Sequence, residues 1–191
     1  METLAVRSLD EQRAEFGQRR FLAMPLAGTI AWVVIGLAGW FLTAYQAIMT
    51  VFVATGSIVY LGIFLSRFTG ENFLDKSRPK NEFDRLFMAT VGMSLLVYAI
   101  AIPFFMLEPM SLPLSVGILA GLMWLPMSWI LQHWVGVFHA VVRTVLVVVA
   151  YFVFPGHRIT AIAVVIVAVY LVTIAVFESR WRARPGGPQS S

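Results

Sequence analysis

The amino-acid sequence predicts an all-α fold: an integral membrane helical bundle with six transmembrane helices. Apolar and aromatic residues make up 59% of the 191 residues and charged residues only 13%, against about 25% charged in typical soluble domains. Mean hydropathy is +0.81. A soluble fold of this length leaves much of its surface in water. A bilayer, by contrast, accepts apolar surface and acts as the solvent for it.

Residues 1–20 are predicted to form a polar segment in the cytoplasm before the first span. Ser8 and Glu11 match the capping box of a helix that begins near Leu9. Its few apolar residues suit a segment that lies on lipid headgroups. Charges of both signs and the lack of a short apolar core with a cleavage site argue against a signal peptide.

Six apolar stretches follow, and each is long enough to cross the hydrocarbon core as a helix. Polar residues 67–85 separate the second stretch from the third, and Pro155-Gly156 is a strong turn signal before the sixth. Residues 179–191 are predicted to form a polar cytoplasmic tail. The predicted spans, which together form the domain 21–178, are 21–42, 46–66, 86–106, 113–131, 134–154 and 159–178.

The boundary between the fourth and fifth spans is the least defined. Only Gln132 and His133 separate them, and Pro126 is placed to kink the fourth span. A single broken helix through this region is the alternative, and it would leave an odd number of spans.

Basic residues predict the orientation, because they favour the cytoplasmic side of membrane proteins. Four precede the first span, five lie in residues 67–85 and three follow the last span, whereas the loops of the other side contain only Arg158. With six spans, both termini and residues 67–85 are therefore in the cytoplasm. An odd number of spans would distribute these clusters to both sides.

Arg143 is the most informative residue because it lies midway along the predicted fifth span. A charge at the bilayer centre costs about 2.5–3.5 kcal/mol. The interface is about 14 Å away at the 1.5 Å rise per helical residue, a long reach for an arginine. At 100° per residue, Gln132, Gly136, His139 and Arg143 share one helical face. Gln132, His139 and Arg143 are therefore the candidate polar intramembrane site.

Two interpretations of this site compete. In the first, Arg143 and the titratable His139 bind an anion, which is a small carboxylate, a phosphate or a lipid headgroup. In the second, both side chains form hydrogen bonds with neighbouring spans and fix the helix register. A misplaced span boundary that puts Arg143 near water is a third reading. No carboxylate is predicted at the same depth, so the expected partners are main-chain carbonyls or the hydroxyls of Ser57, Tyr60, Ser94, Tyr98 and Tyr170.

Several functional classes find no support in the sequence. The chain has no cysteine, which excludes disulfides, thiolate chemistry and cysteine-ligated metals. Its three histidines lack metal-ligand spacing, and no phosphate loop, HExxH motif or Ser-His-Asp set is present. We therefore expect neither an enzyme nor a bound cofactor. The basic residues lie beside apolar spans, which does not suit nucleic-acid binding. We interpret the acidic residues of 67–85 as part of a solvated loop that contains charges of both signs.

Two apolar motifs have structural interpretations. Gly117 and Gly121 form a GxxxG pair, which permits close helix approach within the subunit or in a homo-oligomer. Packing within the subunit is the favoured reading. The tryptophans at 124, 129 and 134 are interpreted as interface anchors rather than as an aromatic cage for a cation.

Four runs of the sequence carry a resemblance over nearly the whole chain. They are EQRAEFGQRR leading into AGTIAWVVIGLAGW, RPKNEFDRLF, and GLMWLPMSWILQHW. With these runs the chain resembles an uncharacterised family of small bacterial multi-span membrane proteins. The resemblance implies a bacterial cytoplasmic membrane protein with about this number of helices. It implies no activity, substrate or catalytic residue.

Two hypotheses about function follow. The first is a small transporter or binding protein whose anionic ligand contacts His139 and Arg143. The second is a non-catalytic membrane component that interacts with lipids or partner subunits. An intramembrane enzyme is the least favoured reading, because no nucleophile–base set is found.

Overall fold

The computed structural model describes residues 7–73, 75 and 79–184. Within these ranges the chain forms helices and turns and contains no β-strand. Six helical segments there are long and apolar enough to cross a membrane, which confirms the all-α fold and the number of spans. Their bounds are Ala23–Phe41, Ala44–Ser66, Glu82–Leu107, Ser111–Leu131, Val135–Val153 and Pro155–Arg182.

Helix α1, Leu9–Gly17, precedes the spans and begins at the expected capping box. The Ser8 hydroxyl accepts from the Glu11 amide at 3.2 Å, and the Glu11 carboxylate accepts from the Ser8 amide at 2.9 Å. These hydrogen bonds lower the pKa of Glu11. The helix packs against the bundle, because its buried Phe16 ring lies 5.2 Å from Phe21 and 6.3 Å from Phe83.

The first two spans, α2 (Ala23–Phe41) and α3 (Ala44–Ser66), are joined by only two residues. Thr43 and Gln46 form a second capping box, with the Gln46 amide donating to the Thr43 hydroxyl at 3.4 Å. Such a box starts a helix at the residue after the cap. Helix α3 therefore begins two residues before the predicted position 46.

The third and fourth spans are each made of two helical segments. The third comprises α4 (Glu82–Leu96) and α5 (Tyr98–Leu107), and the fourth comprises α6 (Ser111–Leu119), a 3₁₀ turn (Ala120–Met123) and α7 (Trp124–Leu131). The break in the fourth span therefore precedes Pro126. That proline lies in the first turn of α7, where a missing amide removes no intrahelical hydrogen bond.

The turn between α7 and α8 (Val135–Val153) separates two full helices. Gln132 adopts the left-handed conformation with φ of 48°, which ends α7, and the His133 amide donates back to the Ser128 carbonyl at 3.1 Å. The alternative of one broken helix through this region is therefore excluded. A 3₁₀ turn at Pro155–His157 then leads into α9, Arg158–Arg182.

Helix α2 lies between α3 and α9, and α9 also packs on α8. Helix α1, the described residues of the range 67–85 and the last turns of α9 meet at one end of the bundle, which we call the charged end. There Arg180 donates to the Gly17 carbonyl at 2.9 Å, and Arg20 pairs with Glu178 at 2.6 Å. Glu178 thereby raises the pKa of Arg20.

Glu71 corrects the interpretation of its loop as fully solvated. The side chain is 4% exposed, and its carboxylate accepts from the amides of Leu22 and Ala23, both at 2.8 Å. Gly70, with φ of 78°, forms the turn that directs Glu71 to this position. Helix α2 has no cap within its own segment, so a carboxylate from residues 67–85 caps it.

Candidate functional site

Arg143 lies near the middle of α8 and is 1% exposed. It belongs to the interior face of this helix, whereas valines such as Val141 and Val145 are exposed on the outer face. Interior residues recur every three or four positions, as one face of an α-helix requires. The buried residues of this face are Val135, Gly136, His139, Ala140, Arg143, Val147 and Ala150.

The Arg143 guanidinium forms hydrogen bonds to three neutral groups. Nε donates to the Gly117 carbonyl at 2.7 Å, and Nη1 lies 3.3 Å from the Tyr170 hydroxyl and 3.4 Å from His139 Nε2. Gly117 lies in the last turn of α6, three residues before the 3₁₀ turn at Ala120–Met123. The ring of Trp32 lies 5.6 Å from the guanidinium carbon, a cation–π distance. None of these hydrogen bonds uses Nη2.

His139 is completely buried, and its hydrogen bonds define its protonation state. The Thr173 hydroxyl donates to the Val169 carbonyl at 2.8 Å, so it accepts the hydrogen bond from His139 Nδ1 at 2.9 Å. Nε2 is then the acceptor for Arg143. A histidine with one donor and one acceptor nitrogen is neutral. The positive charge of the pair therefore resides on Arg143 alone.

Two glycines create the space that these large side chains occupy, and a third, Gly136, permits close approach of α8 to α7. A Cβ on Gly121 would lie 2.9 Å from Cδ of Arg143, and one on Gly28 would overlap the Tyr170 ring. One on Gly136 would meet the Trp124 carbonyl. A contact under 3.0 Å forces a shift of one of the two groups. Arg143 and Tyr170 therefore adopt their positions only because residues 121 and 28 have no side chain.

A cavity of about 50 Å³ adjoins the guanidinium. This volume exceeds the roughly 10–15 Å³ that a cavity needs to hold one water molecule. We call it the Arg143 cavity. Most of its lining is apolar, and its polar lining residues come from four spans: Thr55, Ser94, Tyr98, Arg143 and Tyr170.

No carboxylate balances the charge of Arg143 within the described ranges. Neither its hydrogen-bond partners nor the cavity lining includes an aspartate or glutamate. Glu108 is exposed in the loop after α5, and Glu178 pairs with Arg20 at the charged end. The site is therefore a buried cation held by neutral groups beside a polar cavity.

A model of a protein family of unknown function, DUF7010, matches residues 9–179. The chain belongs to this family. The match confirms the resemblance to an uncharacterised family, and it spans the chain from α1 into α9. No curated protein and no solved structure matches the chain.

In this DUF7010 chain, Gln132 does not join the other predicted site residues. It is exposed in the left-handed turn before α8, and its amide nitrogen donates to the Trp129 carbonyl at 2.6 Å. The spacing of 100° per residue applies only inside a helix, and α8 begins at Val135. The shared interior face therefore comprises Gly136, His139 and Arg143.

The three tryptophans divide into two roles. Trp129 and Trp134 are 58% and 57% exposed, whereas Trp124 is 6% exposed. Trp124 stacks on His139 with ring centroids 4.4 Å apart. The interpretation of all three as interface anchors is therefore wrong for Trp124.

Sequence reasoning missed several residues that complete the site. Tyr170 was among the expected hydroxyl partners, but Trp32, Thr173 and Gly28 were not. Each lies in a different span from Arg143, and a single sequence contains no signal for which residues of separate spans meet. The glycine in GxxxG at position 121 was a visible signal, although its space is filled by Arg143.

Proposed function

We propose that this multi-pass membrane protein binds a small anion at Arg143, as a small transporter or as a binding protein. The observation that carries the proposal is the guanidinium beside the Arg143 cavity, with no carboxylate among its described partners. Neutral hydrogen bonds stabilise such a cation but leave its net charge uncompensated. An unpaired buried charge is expensive, and an anion in the cavity would offset that cost.

The competing account is purely structural. The bonds from Arg143 to Gly117 and Tyr170 join α8 to α6 and α9, and they would fix the register of these helices without any ligand. That account gives the adjoining cavity no role. The two therefore differ in whether an added anion stabilises the protein through Arg143.

The test is the thermal stability of the detergent-solubilised protein as sodium gluconate is replaced by sodium chloride or sodium nitrate at constant ionic strength. A ligand that binds only the folded state raises the melting temperature. We expect this rise in the wild-type protein and its loss in Arg143→Met, which keeps the length of the side chain and removes the charge. An identical response of both proteins to these two anions, and likewise to phosphate, would contradict the proposal.

A second variant keeps the test decisive if Arg143→Met fails to fold. Ser94 lines the same cavity, and Ser94→Asp introduces a tethered carboxylate into the cavity that the guanidinium adjoins. This internal anion should replace the added one, so the variant should fold without a response to chloride or nitrate. A response equal to that of the wild type would place the anion elsewhere.

We also infer that the charged end faces the cytoplasm and that the protein resides in a bacterial cytoplasmic membrane. The basic clusters at this end support the orientation. Because the chain lacks cysteine, Lys80→Cys and His157→Cys provide single labelling sites in exposed positions. In intact cells, a membrane-impermeant reagent should label position 157 and spare position 80. The reverse result would invert the topology.

A second candidate function is a non-catalytic component that interacts with lipids or partner helices. It is favoured by a mainly apolar groove of about 400 Å³ between α2 and α3, lined by residues such as Val34 and Val53. Cysteine crosslinking at position 53 in native membranes tests for a homo-oligomer. A crosslinked dimer would support a second copy in the groove, whereas its absence would favour lipid. Neither candidate involves a catalysed reaction.

A further inference from the structure

We infer that the ligand of the Arg143 cavity is a monovalent inorganic anion of halide or nitrate size, held by the Arg143 guanidinium and the Tyr170 hydroxyl. This inference rests on the proposed function and narrows it. Three independent observations carry it: the charge of the site, the volume of the cavity, and the hydrogen-bond donors that remain free.

The charge of the site indicates a monovalent anion. His139 is neutral because it accepts from Arg143 and donates to Thr173. Arg143 is the only charged residue in the described lining of the cavity. One positive charge balances one negative charge, so sulfate or doubly ionised phosphate would leave a buried negative charge uncompensated. Such a charge is strongly disfavoured in an apolar environment.

The volume of the cavity indicates a small anion. A cavity of about 50 Å³ has space for only a few water molecules. A halide ion, nitrate or formate fits such a space. A phosphodiester headgroup with its glycerol and a sugar acid are both too large. The phosphodiester is therefore excluded by its size, although it also carries a single negative charge. The cavity therefore selects against the larger ligands that the sequence left open.

The hydrogen-bond donors distinguish the two tyrosines of the lining. Thr55 donates to the Val51 carbonyl and therefore accepts from Tyr98, which uses the hydroxyl proton of Tyr98. The Tyr170 oxygen instead accepts from Arg143. No hydrogen bond among the described residues uses the Tyr170 hydroxyl proton, which is therefore available to an anion.

Tyr170 and Arg143 then form a two-donor site. Nη2 of Arg143 takes part in none of the guanidinium hydrogen bonds described above, and both residues line the same cavity. A cationic donor and a neutral hydroxyl donor suit a monovalent anion, because the guanidinium has no acceptor and the Tyr170 oxygen already accepts from Arg143. Gly28 leaves room for the Tyr170 hydroxyl, since a Cβ there would lie 2.5 Å from its oxygen.

The test compares the binding of chloride, bromide, nitrate, formate, sulfate and phosphate by thermal shift and by isothermal titration, in the wild type and in Arg143→Met. Subtracting the variant removes the general effect of each salt on stability, which is large for sulfate and phosphate. We expect an Arg143-dependent response to the four small monovalent ions and none to sulfate, or to phosphate at a pH at which it is doubly ionised. An Arg143-dependent response to phosphate or to a short-chain phosphatidylglycerol alone would overturn this inference and leave the proposed function intact. No Arg143-dependent response to any anion would overturn both.

Tyr170→Phe and Tyr98→Phe form a matched pair, because both hydroxyls line the cavity. A hydrogen bond to a charged group contributes about 1.5–3 kcal/mol, so Tyr170→Phe should weaken chloride binding roughly tenfold or more. Tyr98→Phe should change it less than about twofold, since its proton is already used within the protein. Equal effects of the two variants, or a larger effect of Tyr98→Phe, would contradict the assignment of Tyr170 as the donor.

Discussion

At the scale of single residues, Arg143 is compatible with a membrane interior because its neighbours are small beside its aliphatic chain and polar beside its guanidinium. Gly121 provides space for its aliphatic chain, the Gly117 carbonyl accepts from Nε, and His139 accepts from Nη1. A buried arginine whose partners were removed would cost several kcal/mol. The glycines are therefore as necessary to the site as the polar groups.

Gly121→Ala tests this role. The new Cβ would lie 2.9 Å from Cδ and 3.0 Å from Nε of Arg143, so we expect a loss of about 1–3 kcal/mol in the free energy of unfolding, as for other overpacked cores. Gly92→Ala is the control, because a Cβ there meets no atom within 4 Å. Equal effects in chemical denaturation of the two variants would show that Gly121 does not accommodate the arginine.

Thr173→Val tests the hydrogen bond that orients His139. It removes the acceptor of Nδ1 and should cost on the order of 1 kcal/mol, within the range of hydrogen bonds between membrane helices. Thr144→Val is the control, because Thr144 also donates to a carbonyl of its own helix, at 2.7 Å, but does not contact His139. If both variants unfold at the same denaturant concentration, the bond to His139 contributes no stability.

At the scale of elements, the breaks within helices position the site. The fourth span leaves α-helical geometry at Ala120–Met123, one turn after the Gly117 carbonyl that accepts from Arg143. Short 3₁₀ segments inside helices are common at functional positions. At the charged end, α2 begins where a glutamate from residues 67–85 caps it. Both features depend on contacts between elements that are distant in the sequence.

The Glu71 cap leads to a prediction about α2. Glu71→Ala leaves the amides of Leu22 and Ala23 without their acceptor, so it should cost about 1–2 kcal/mol of stability, as the loss of other N-terminal caps does. It should also speed hydrogen exchange of these two amides. Glu82→Ala is the control, since Glu82 forms an exposed pair with Arg85, which contributes about 0–1 kcal/mol. Unchanged exchange at both amides in Glu71→Ala would refute the cap.

At the scale of the whole molecule, the sequence predicts what depends on local pattern. Hydropathy and the basic clusters are sufficient to predict six spans, and the position of Arg143 midway along a span is sufficient to predict its burial. The prediction that Gln132 belongs to the site is wrong for a physical reason. It extended helical spacing through a turn in which Gln132 has a left-handed backbone conformation. The burial of Glu71 and the stacking of Trp124 on His139 depend on tertiary contacts, for which a single sequence contains no signal.

The arrangement of the spans explains why the site forms where it does. The Arg143 cavity lies among residues from α2, α3, the third and fourth spans, α8 and α9, so every span contributes to its lining. Helix α3 and the third span meet there through side chains, including the stacked rings of Phe52 and Tyr98 at 6.0 Å. The site is thus a property of the complete bundle rather than of α8 alone.

The central claim, a small anion at Arg143, is tested most directly by bromide. Bromide scatters X-rays anomalously, so crystals of the full chain grown in sodium bromide would locate the ion without assumptions about its binding. We predict an anomalous peak in the Arg143 cavity within hydrogen-bond reach of Arg143 Nη2 and the Tyr170 hydroxyl. A well-ordered cavity that contains only water or is empty, in a crystal with bromide bound elsewhere, would contradict the claim.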